Sequence, residues 1–526
     1  MSSQLPAASQ DYVDAPTQPE TRGIEVVRPS ERHGRARDLF GVWAAPNVSV
    51  LNFTIGATMI LLGLEIWQAV AVIVAANLLW VFPGLIAIAG PAAGTSGSVI
   101  SRALYGIIGN KVVIAFTGWL ISAVFLALNW LASSFMGADL LAQWGFADPV
   151  LGPVIVTLVV SAITVLVAVY GHALIIRSYT AISIALAVIF LAVTAFALPT
   201  VDWGYRAPEA LTGVPLWSAI TIGFTILAST PLSYINSPDI ARYLPRDTKP
   251  SHIIAATALG GALPGVFFTV VGALIATGLD GAAVDAGIES AILGLLPSWL
   301  GPLLVLGVIV NTVALNGMTT YTSSMALQSV GVPIRRIPSA IVVGVIGTAL
   351  TLYLVMSTSL LDAVNLMLQF LVIVSGPAMA VFATDIVLRR NRYDAVELFD
   401  EQRGGKYWYT AGWSIPGMAA VVVGGAVAAV CLSTEVWTGP VSEAMGWVDL
   451  SVPAGMIVSA LVYLGLSKTG LGRFGETPAP LGASEPAEPG AGAPAEPGAG
   501  APAEPGAGAP AAPAASPAAP TTEPAA

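Results

Sequence analysis

The chain has 526 residues, of which 55% are hydrophobic and only 10% are charged, and its mean hydropathy is +0.79. Soluble domains average about 25% charged residues, so this composition excludes a soluble globular protein and indicates a polytopic membrane protein. The single cysteine, Cys431, excludes a disulfide within one chain. The three histidines form no cluster with metal-ligand spacing, and the sequence therefore predicts no metal site.

Twelve apolar stretches are long enough to cross a hydrocarbon core of roughly 30 Å at about 1.5 Å per helical residue. They cover residues 40–64, 67–89, 112–138, 150–170, 173–198, 214–236, 252–278, 299–330, 338–358, 360–385, 413–434 and 450–467. With the N-terminus placed in the cytoplasm, every lysine and arginine except Arg206 falls in a cytoplasmic segment. Because basic residues in short cytoplasmic loops set the orientation of spans, this pattern predicts twelve spans with both termini cytoplasmic.

The first span has polar and helix-breaking residues at its centre, between Trp43 and Gly56. Pro46 removes a backbone donor, and the amides of Asn47 and Asn52 need partners at a depth where water is absent. A proline kink packed against neighbouring helices explains this stretch equally well. The sixth span repeats the feature at Ser-Thr-Pro-Leu-Ser-Tyr-Ile-Asn-Ser-Pro, residues 229–238. Two interrupted helices at corresponding positions of two halves indicate the binding site of a transporter.

Polar side chains also occur within the third, eighth and tenth spans. Asn129 and Trp130 lie deep in the third span, where an amide needs a partner and an indole ring offers a stacking face. The eighth span combines amides with many hydroxyls, and the tenth contains Asn365 and Gln369. The polar residues of the eighth span are too numerous for a helix that only supports the fold. They are Asn311, Thr312, Asn316, Thr319, Thr320, Tyr321, Thr322, Ser323 and Ser324.

Asp239 and Arg242 follow the sixth span and are three residues apart. They form either a local helical ion pair, worth only a few tenths of a kcal/mol, or half of a cytoplasmic gate.

Several patterns that would indicate an enzyme or an ATP-driven pump are absent from the sequence. There is no Ser/His/Asp or Cys/His set, no pair of carboxylates at membrane depth and no phosphate-binding loop. A charge at mid-membrane costs at least ~2.5–3.5 kcal/mol, and the spans contain almost none. The sequence thus predicts a secondary transporter rather than an enzyme, with a neutral, compact substrate read by amides, hydroxyls and aromatic faces.

The same residues resemble the purine–cytosine permease branch of the nucleobase:cation symporter-1 family. The resemblance covers residues 38 to 435 and rests on the order and spacing of several short motifs. These are Trp43-x₃-Asn47, Asn52 and Gly56; Gly90-Pro91, Gly94, Gly97, Arg102, Tyr105-Gly106 and Gly109; Ser229-x-Pro231-x-Ser233-Tyr234, Asp239 and Arg242-Tyr243; and Asn316 with Tyr321.

The resemblance implies an all-α, leucine-transporter-like fold with two inverted five-helix repeats, residues 40–198 and 214–385, and two additional helices within 413–467. This transporter domain is expected to span residues 39–470, after a disordered cytoplasmic segment at 1–38. In the family, substrate lies between broken helices one and six and helices three, eight and ten. The substrate-binding candidates are therefore Asn47, Asn52, Asn129, Trp130, Thr230, Ser233, Asn316 and Gln369.

The activity implied by the resemblance is import of cytosine, or of a purine such as adenine or hypoxanthine, by cation symport across a bacterial inner membrane. An allantoin, hydantoin or vitamin carrier of the same family is the alternative, as is an amino-acid transporter of the same fold. The expected partners are a small neutral base and the lipid bilayer, with no cofactor, no nucleic acid and no obligate protein partner.

Two departures from the family pattern concern the substrate and the ion. Some relatives stack substrate between tryptophans on helices three and six, where this chain has approximately Val124 and Thr230. Sodium-coupled relatives have a Ser-Thr pair where this chain has Val310-Asn311, followed by Thr312. Because sodium needs several oxygen ligands, this loss predicts coupling to protons. Asn311 and Thr312 are the candidate cation-coupling residues.

The C-terminal stretch, residues 474–526, is low in complexity. The octamer Ala-Glu-Pro-Gly-Ala-Gly-Ala-Pro occurs in tandem at 487–494, 495–502 and 503–510. It has too little apolar side chain to bury, and it is therefore predicted to be a disordered cytoplasmic tail without a part in transport.

Overall fold

The computed structural model describes residues 14–279, 288–356 and 360–469, without the side chains of residues 289–290 and 360–369. The C-terminal octamers lie outside these ranges. The described chain is helical, and it contains two isolated β-bridges but no strand. The predicted all-α class is therefore confirmed.

The helices are numbered here so that the two broken spans keep one number each. Their bounds are α1a Asp38–Asn47, α1b Val50–Leu61, α2 Ile66–Ala93, α3 Ile107–Gln143, α4 Leu151–Tyr170, α5 His172–Thr200, α6a Gly213–Leu232, α6b Pro238–Ala241, α7 Pro250–Ala276, α8 Leu300–Ser329, α9 Arg336–Val355, α10 Leu360–Arg389, α11 Ile415–Cys431 and α12 Ser451–Ser467. Short helical turns lie at Pro29–Glu31, Gly97–Ile100, Arg102–Tyr105, Ile288–Gly294, Glu397–Phe399 and Pro440–Ala444.

The described helices fit a multi-pass membrane protein. Ten candidate spans are found in the described ranges when α1a and α1b count as one bent span. The last two helices, α11 and α12, are apolar but only 17 residues long. The total of twelve spans stays a prediction.

The first helix is broken where the sequence predicts it. The axes of α1a and α1b meet at 58°, and Val48 and Ser49 separate them. Ser49 has extended backbone angles, and its hydroxyl accepts a hydrogen bond from the amide of Leu51 at 3.2 Å. This is a helix N-cap, so the chain starts a new helix at mid-span rather than bending one.

The sixth helix is interrupted at the second predicted position. Helix α6a ends at Leu232, one residue after Pro231, and α6b begins at Pro238. Proline suits the first position of a helix because its missing N–H has no partner there in any case. Residues 233–237 therefore leave helical geometry between the two pieces of the sixth helix.

Close backbone packing holds α1b against α7. A Cβ atom at Gly56 would overlap the carbonyl oxygen of Thr269, and one at Gly272 would overlap the backbone of Phe53. Small residues allow helices in lipid to approach this closely. The structure thus gives Gly56 a packing role that its position in a polar stretch does not suggest.

The expectation that residues 1–38 are disordered is wrong for residues 14–38. Residues 14–37, called the N-terminal segment below, lie against the helix bundle, and Glu20 and Val27 are buried. The amide of Glu20 donates to the carbonyl of Val169, and that of Val27 to Gly94. These backbone hydrogen bonds fix a segment whose polar composition gives no sign of packing.

Candidate functional site

A cavity of about 80 Å³ lies between the two broken helices and helices α3 and α8. This volume is well above the roughly 10–15 Å³ that a single water needs, so the cavity can admit a compact solute. The residues that line it are Trp43, Leu51, Thr117, Ile121, Ser122, Phe125, Asn129, Thr230, Ser233, Tyr234, Asn236, Ile240, Leu315, Met318, Thr319 and Thr322.

The described wall of this cavity combines apolar and polar side chains and carries no charged group. Among the described residues that line it, half carry an amide or an aliphatic hydroxyl and none is Asp, Glu, Lys, Arg or His. A buried anion or cation without a partner would be costly in such a site. The cavity is therefore suited to a neutral molecule with several hydrogen-bonding atoms.

Helical periodicity places the α3 and α8 side chains on the cavity wall. Ile121, Phe125 and Asn129 are each four residues apart on α3, and Leu315 and Thr319 have the same spacing on α8. Residues at this spacing share one helix face. In α3, a π-helical turn at Ala115–Leu120 precedes this face, and such turns frequently occur at functional sites.

Asn129 is held in position by Asn316 on α8. The amide nitrogen of Asn129 donates to Oδ1 of Asn316 at 3.0 Å, and the Asn316 nitrogen donates to the carbonyl of Leu126 at 3.0 Å. Asn316 is fully buried, whereas Asn129 reaches the cavity. The pair therefore fixes one amide at the wall and keeps the other behind it.

Aromatic rings form the side of the cavity nearest the break in α6. Trp43 and Tyr234 lie edge to face with ring centroids 5.0 Å apart, and Tyr234 stacks on Trp80 at 5.2 Å. Phe125, on α3, also lies on the cavity wall. These faces can pack on a planar ring.

The amides at the break in α1 serve the backbone. Asn47 donates to the carbonyl of Trp43 at 2.8 Å, and Asn52 donates to that of Asn47 at 2.5 Å. The Asn311 nitrogen reaches three carbonyls, those of Ala45, Pro46 and Val48, at 2.8, 3.2 and 2.9 Å. Helix C-termini leave carbonyls without intrahelical partners, and here Asn311 supplies the donor.

The predicted substrate residues divide into groups. Asn129, Thr230 and Ser233 line the cavity. Asn47, Asn52 and Asn316 are not among the described lining residues, and their amides bond instead to Trp43, Asn47 and Asn129, respectively. Trp130 is a correction, because it packs in a separate apolar cluster and its indole nitrogen donates to Thr164 at 3.2 Å. The side chain of Gln369 lies outside the described residues.

Several cavity residues are missing from the sequence-based set. Phe125 lies four residues before Asn129, and that spacing alone would have placed it on the same face. Asn236 belongs to the unwound stretch of helix six, and Thr319 belongs to the polar face of α8. Phe125 also places an aromatic ring on the cavity wall, one residue after Val124, where some relatives have a tryptophan.

Of the two interpretations of Asp239 and Arg242, a local ion pair or half of a gate, the local ion pair is not what these side chains form. Asp239 accepts the amide hydrogen of Gly97 at 2.6 Å, and Arg242 instead pairs with Glu20 at 2.9 Å. Both members of the Glu20–Arg242 pair are fully buried. The arginine predicted to gate the transporter thus has its partner in the N-terminal segment, which no sequence pattern indicated.

Asp14, His33 and His172 meet beside this pair, and their ligand atoms lie within 4.8 Å of one another. Asp14 is 2.6 Å from Nδ1 of His172 and 3.2 Å from Nε2 of His33. Hydrogen bonding to Asp14 raises the pKa of His33. Burial alone would raise the pKa of Asp14, but the hydrogen bonds from His172 and His33 outweigh it and lower that pKa below its usual value. This cluster is the one place in the described chain where metal-ligating side chains converge.

A helical bundle with two broken spans around a cavity whose described lining is uncharged is typical of a membrane transport protein. Similarity to known proteins identifies its family. The chain belongs to the family of permeases for cytosine/purines, uracil, thiamine and allantoin, whose model matches residues 26–455. A putative purine-cytosine permease of Bacillus subtilis (strain 168), YxlA, is 25% identical over 467 residues, which is 85% of this chain and 96% of the relative.

Solved structures of Mhp1, a nucleobase-cation-symport-1 family transporter, have the same fold. The closed conformation with bromovinylhydantoin bound has a TM-score of 0.68 at 20% identity, covering 86% of this chain and 97% of Mhp1. The inward-facing conformation has a TM-score of 0.64 at 18% identity, covering 88% and 97%. The predicted fold class and family are therefore confirmed.

Proposed function

We propose that the protein imports a neutral nucleobase, such as cytosine or a purine, across the cytoplasmic membrane by symport with protons. The observation that supports this most directly is the cavity itself, which lies at the two helix breaks and is lined by amides, hydroxyls and aromatic rings. A nucleobase presents mixed donors and acceptors at its edge and a flat face for stacking. Asn129 offers both kinds of hydrogen-bonding atom, and Trp43, Phe125 and Tyr234 offer faces.

The uncharged lining of the described cavity favours nucleobases over the charged alternatives. An amino acid has a carboxylate, and thiamine, which the family description includes, is a cation. Neither charge would meet an opposite charge among the described cavity residues. Burying an unpaired charge costs far more than burying a hydrogen-bonded neutral base.

The face that carries the N-terminal segment is proposed to be cytoplasmic. Every lysine and arginine except Arg206 belongs to the termini, the loops or the helix ends that this orientation places inside. Arg206 lies at the opposite ends of the helices, where it bonds to Glu65 at 3.4 Å.

Asn311 supports proton coupling rather than sodium coupling. Its nitrogen donates to the carbonyl oxygens at the end of α1a, and these are oxygens that a sodium ion would otherwise use. All three neighbours are acceptors, so the amide must present its nitrogen to them. The N–H₂ group thereby satisfies the carbonyl oxygens at the end of α1a without a bound cation.

Uptake of labelled cytosine, in competition with a panel of purines, hydantoins and amino acids, tests the substrate. We expect inhibition by bases and little effect of amino acids. Strong competition by an amino acid or by allantoin, with none by any base, would assign the protein to one of the alternative substrates.

Ion replacement tests the coupling. We expect a protonophore to abolish accumulation, and uptake to persist when choline replaces sodium. Strict sodium dependence would contradict the role given to Asn311 and make Asn311 and Thr312 side chains the candidate sodium ligands.

A further inference from the structure

The carboxylate of Glu20 is extensively hydrogen-bonded at the proposed cytoplasmic face. Its Oε1 accepts hydrogen bonds from Arg242 at 2.9 Å, Tyr243 at 2.8 Å and Tyr321 at 3.2 Å. Its Oε2 accepts the backbone amide hydrogen of His172 at 2.9 Å. Four donors from three different helical regions thus converge on one side chain that belongs to none of them.

The partners of Glu20 adjoin the cavity. Ile240 lines the cavity, and Arg242 follows two residues later. Met318 and Thr322 line it on α8, and Tyr321 lies between them in sequence. One helical turn rises about 5.4 Å, so the Glu20–Arg242 pair lies within about a turn of the cavity, on its N-terminal-segment side.

The N-terminal segment also spans the region that must open for release on this side. Thr95 donates to the carbonyl of Ile24, and Arg32 donates to that of Pro91, both next to the loop after α2. The backbone of His33 donates to the carbonyl of Tyr243, next to α6b. The segment thereby connects the two halves of the predicted inverted repeat across one face.

We propose that Glu20 is a gating residue of the transport cycle: its pairing with Arg242 closes the cytoplasmic side of the cavity, and separation of the pair opens it. This inference rests on the proposed transport function. Closure is stable because Arg242 is fully buried and has Glu20 as its counter-ion. Removing one partner of a buried pair leaves an uncompensated charge, which destabilises the closed arrangement specifically.

Labelling of a cysteine in the cavity tests the gate. Cys431→Ser removes the single native cysteine, and Thr322→Cys places a thiol on the cavity wall. The protein with both substitutions is the parent for the test. In inside-out vesicles, a membrane-impermeant maleimide should label it slowly. Glu20→Gln should accelerate labelling by about tenfold or more, because the closed population falls when Arg242 loses its counter-ion.

Glu25→Gln is the matched control, since it makes the same chemical change in the same segment at an exposed position. It should label at the parental rate. Arg242→Gln should accelerate labelling as Glu20→Gln does, and the double variant should add little, because both changes remove one interaction.

Labelling of Glu20→Gln at the parental rate would overturn the proposal. Equal acceleration in right-side-out vesicles would also overturn it, because general loosening of the fold exposes the thiol from both sides. The assay needs no substrate. If the gate responds as expected but no base is taken up, the nucleobase function fails while the gating role stands.

Discussion

At the scale of single residues, Asn316 determines the position of the amide that faces the cavity. Asn316→Ala removes the acceptor that orients Asn129 and leaves that amide N–H without its partner, and the Leu126 carbonyl loses its side-chain donor. An unsatisfied buried group costs about 1–3 kcal/mol, so we expect base affinity to fall roughly ten- to a hundredfold. Binding of cytosine or adenine to membranes with matched expression measures this.

Asn129→Ala should weaken binding at least as much, and the double variant should show less than the sum of the two effects. Asn391→Ala is the control, because that amide bonds to the Ile88 carbonyl outside the cavity. Wild-type affinity and rate in Asn316→Ala for every transported base would remove this amide pair from the substrate site.

Asn311 permits a second test at this scale. Asn311→Asp replaces the nitrogen donor with a carboxylate oxygen, which would face the carbonyls of Ala45, Pro46 and Val48. Clustered oxygens of this kind repel one another unless a cation binds between them. We therefore expect uptake to be lost in choline buffer and partly restored by sodium.

The isosteric change makes the outcome informative, since Asn and Asp have nearly the same shape. Full activity of Asn311→Asp in sodium-free buffer would show that amide donation to the broken helix is dispensable.

Sequence patterns identified the polar residues at the site more readily than their roles. Asn129, Thr230 and Ser233 line the cavity, and they are noticeable in the sequence because polar residues within membrane spans are costly and therefore rare. Their binding of substrate stays a prediction. Trp130 follows Asn129 directly in sequence, but successive helical residues point about 100° apart. It consequently faces α4 and α9 rather than the cavity.

At the scale of helices, the approach of α1b to α7 supports the broken segment. Gly56→Ala would press a methyl group into the backbone carbonyl of Thr269, which cannot move as a side-chain end could. Overpacking of this kind costs about 1–3 kcal/mol or more. We expect a lower melting temperature in detergent and less protein in the membrane.

Gly465→Ala provides the control within another helix, since nothing lies within 4 Å of the position its Cβ would take. If both alanine variants melt at the wild-type temperature, the close packing of α1b on α7 does not limit stability.

The docking of the N-terminal segment should depend on pH. His33, whose pKa is raised, contributes stability below its unfolded value of about 6.5, which is lost as pH rises through the higher folded pKa. Asp14, whose pKa is lowered, contributes above about 3.9 and loses that contribution on acidification through its folded pKa. Docking should therefore be strongest from about pH 4 to 6.5.

A fluorophore on Ser30→Cys, an exposed position, in a Cys431→Ser background measures docking by anisotropy. Mobility of the probe should increase towards alkaline pH, and His33→Gln should remove most of this dependence. His252→Gln is the control, because His252 is exposed at the start of α7. A pH profile unchanged by His33→Gln would show that another group governs docking.

The N-terminal segment shows where element-level prediction fails. Helix breaks have local causes, such as Pro46, Ser49 and Pro238, which can be read from the sequence. Glu20 is buried by groups more than 140 residues away, among them His172 and Arg242. Local composition carries no record of such partners, so a polar stretch of this kind is predicted to be disordered.

At the scale of the whole molecule, both ends of the chain are polar, yet we expect them to differ in function. The family match ends at residue 455, and the tandem octamers beyond Gly475 consist of Ala, Pro, Gly and Glu with almost no apolar surface to bury. Truncation after Gly475 should therefore leave the rate and affinity of base uptake unchanged.

Deletion of residues 1–24 is the matching change at the other end. It removes Glu20 and, with it, the counter-ion of the buried Arg242. We expect the truncated protein to reach the membrane but to lose concentrative uptake, because the cavity then stays open on one side. Transport assays on the two truncations, normalised to surface amount, compare them directly. Loss of uptake on removal of the tail, at normal membrane levels, would show that the octamers act in transport despite their composition.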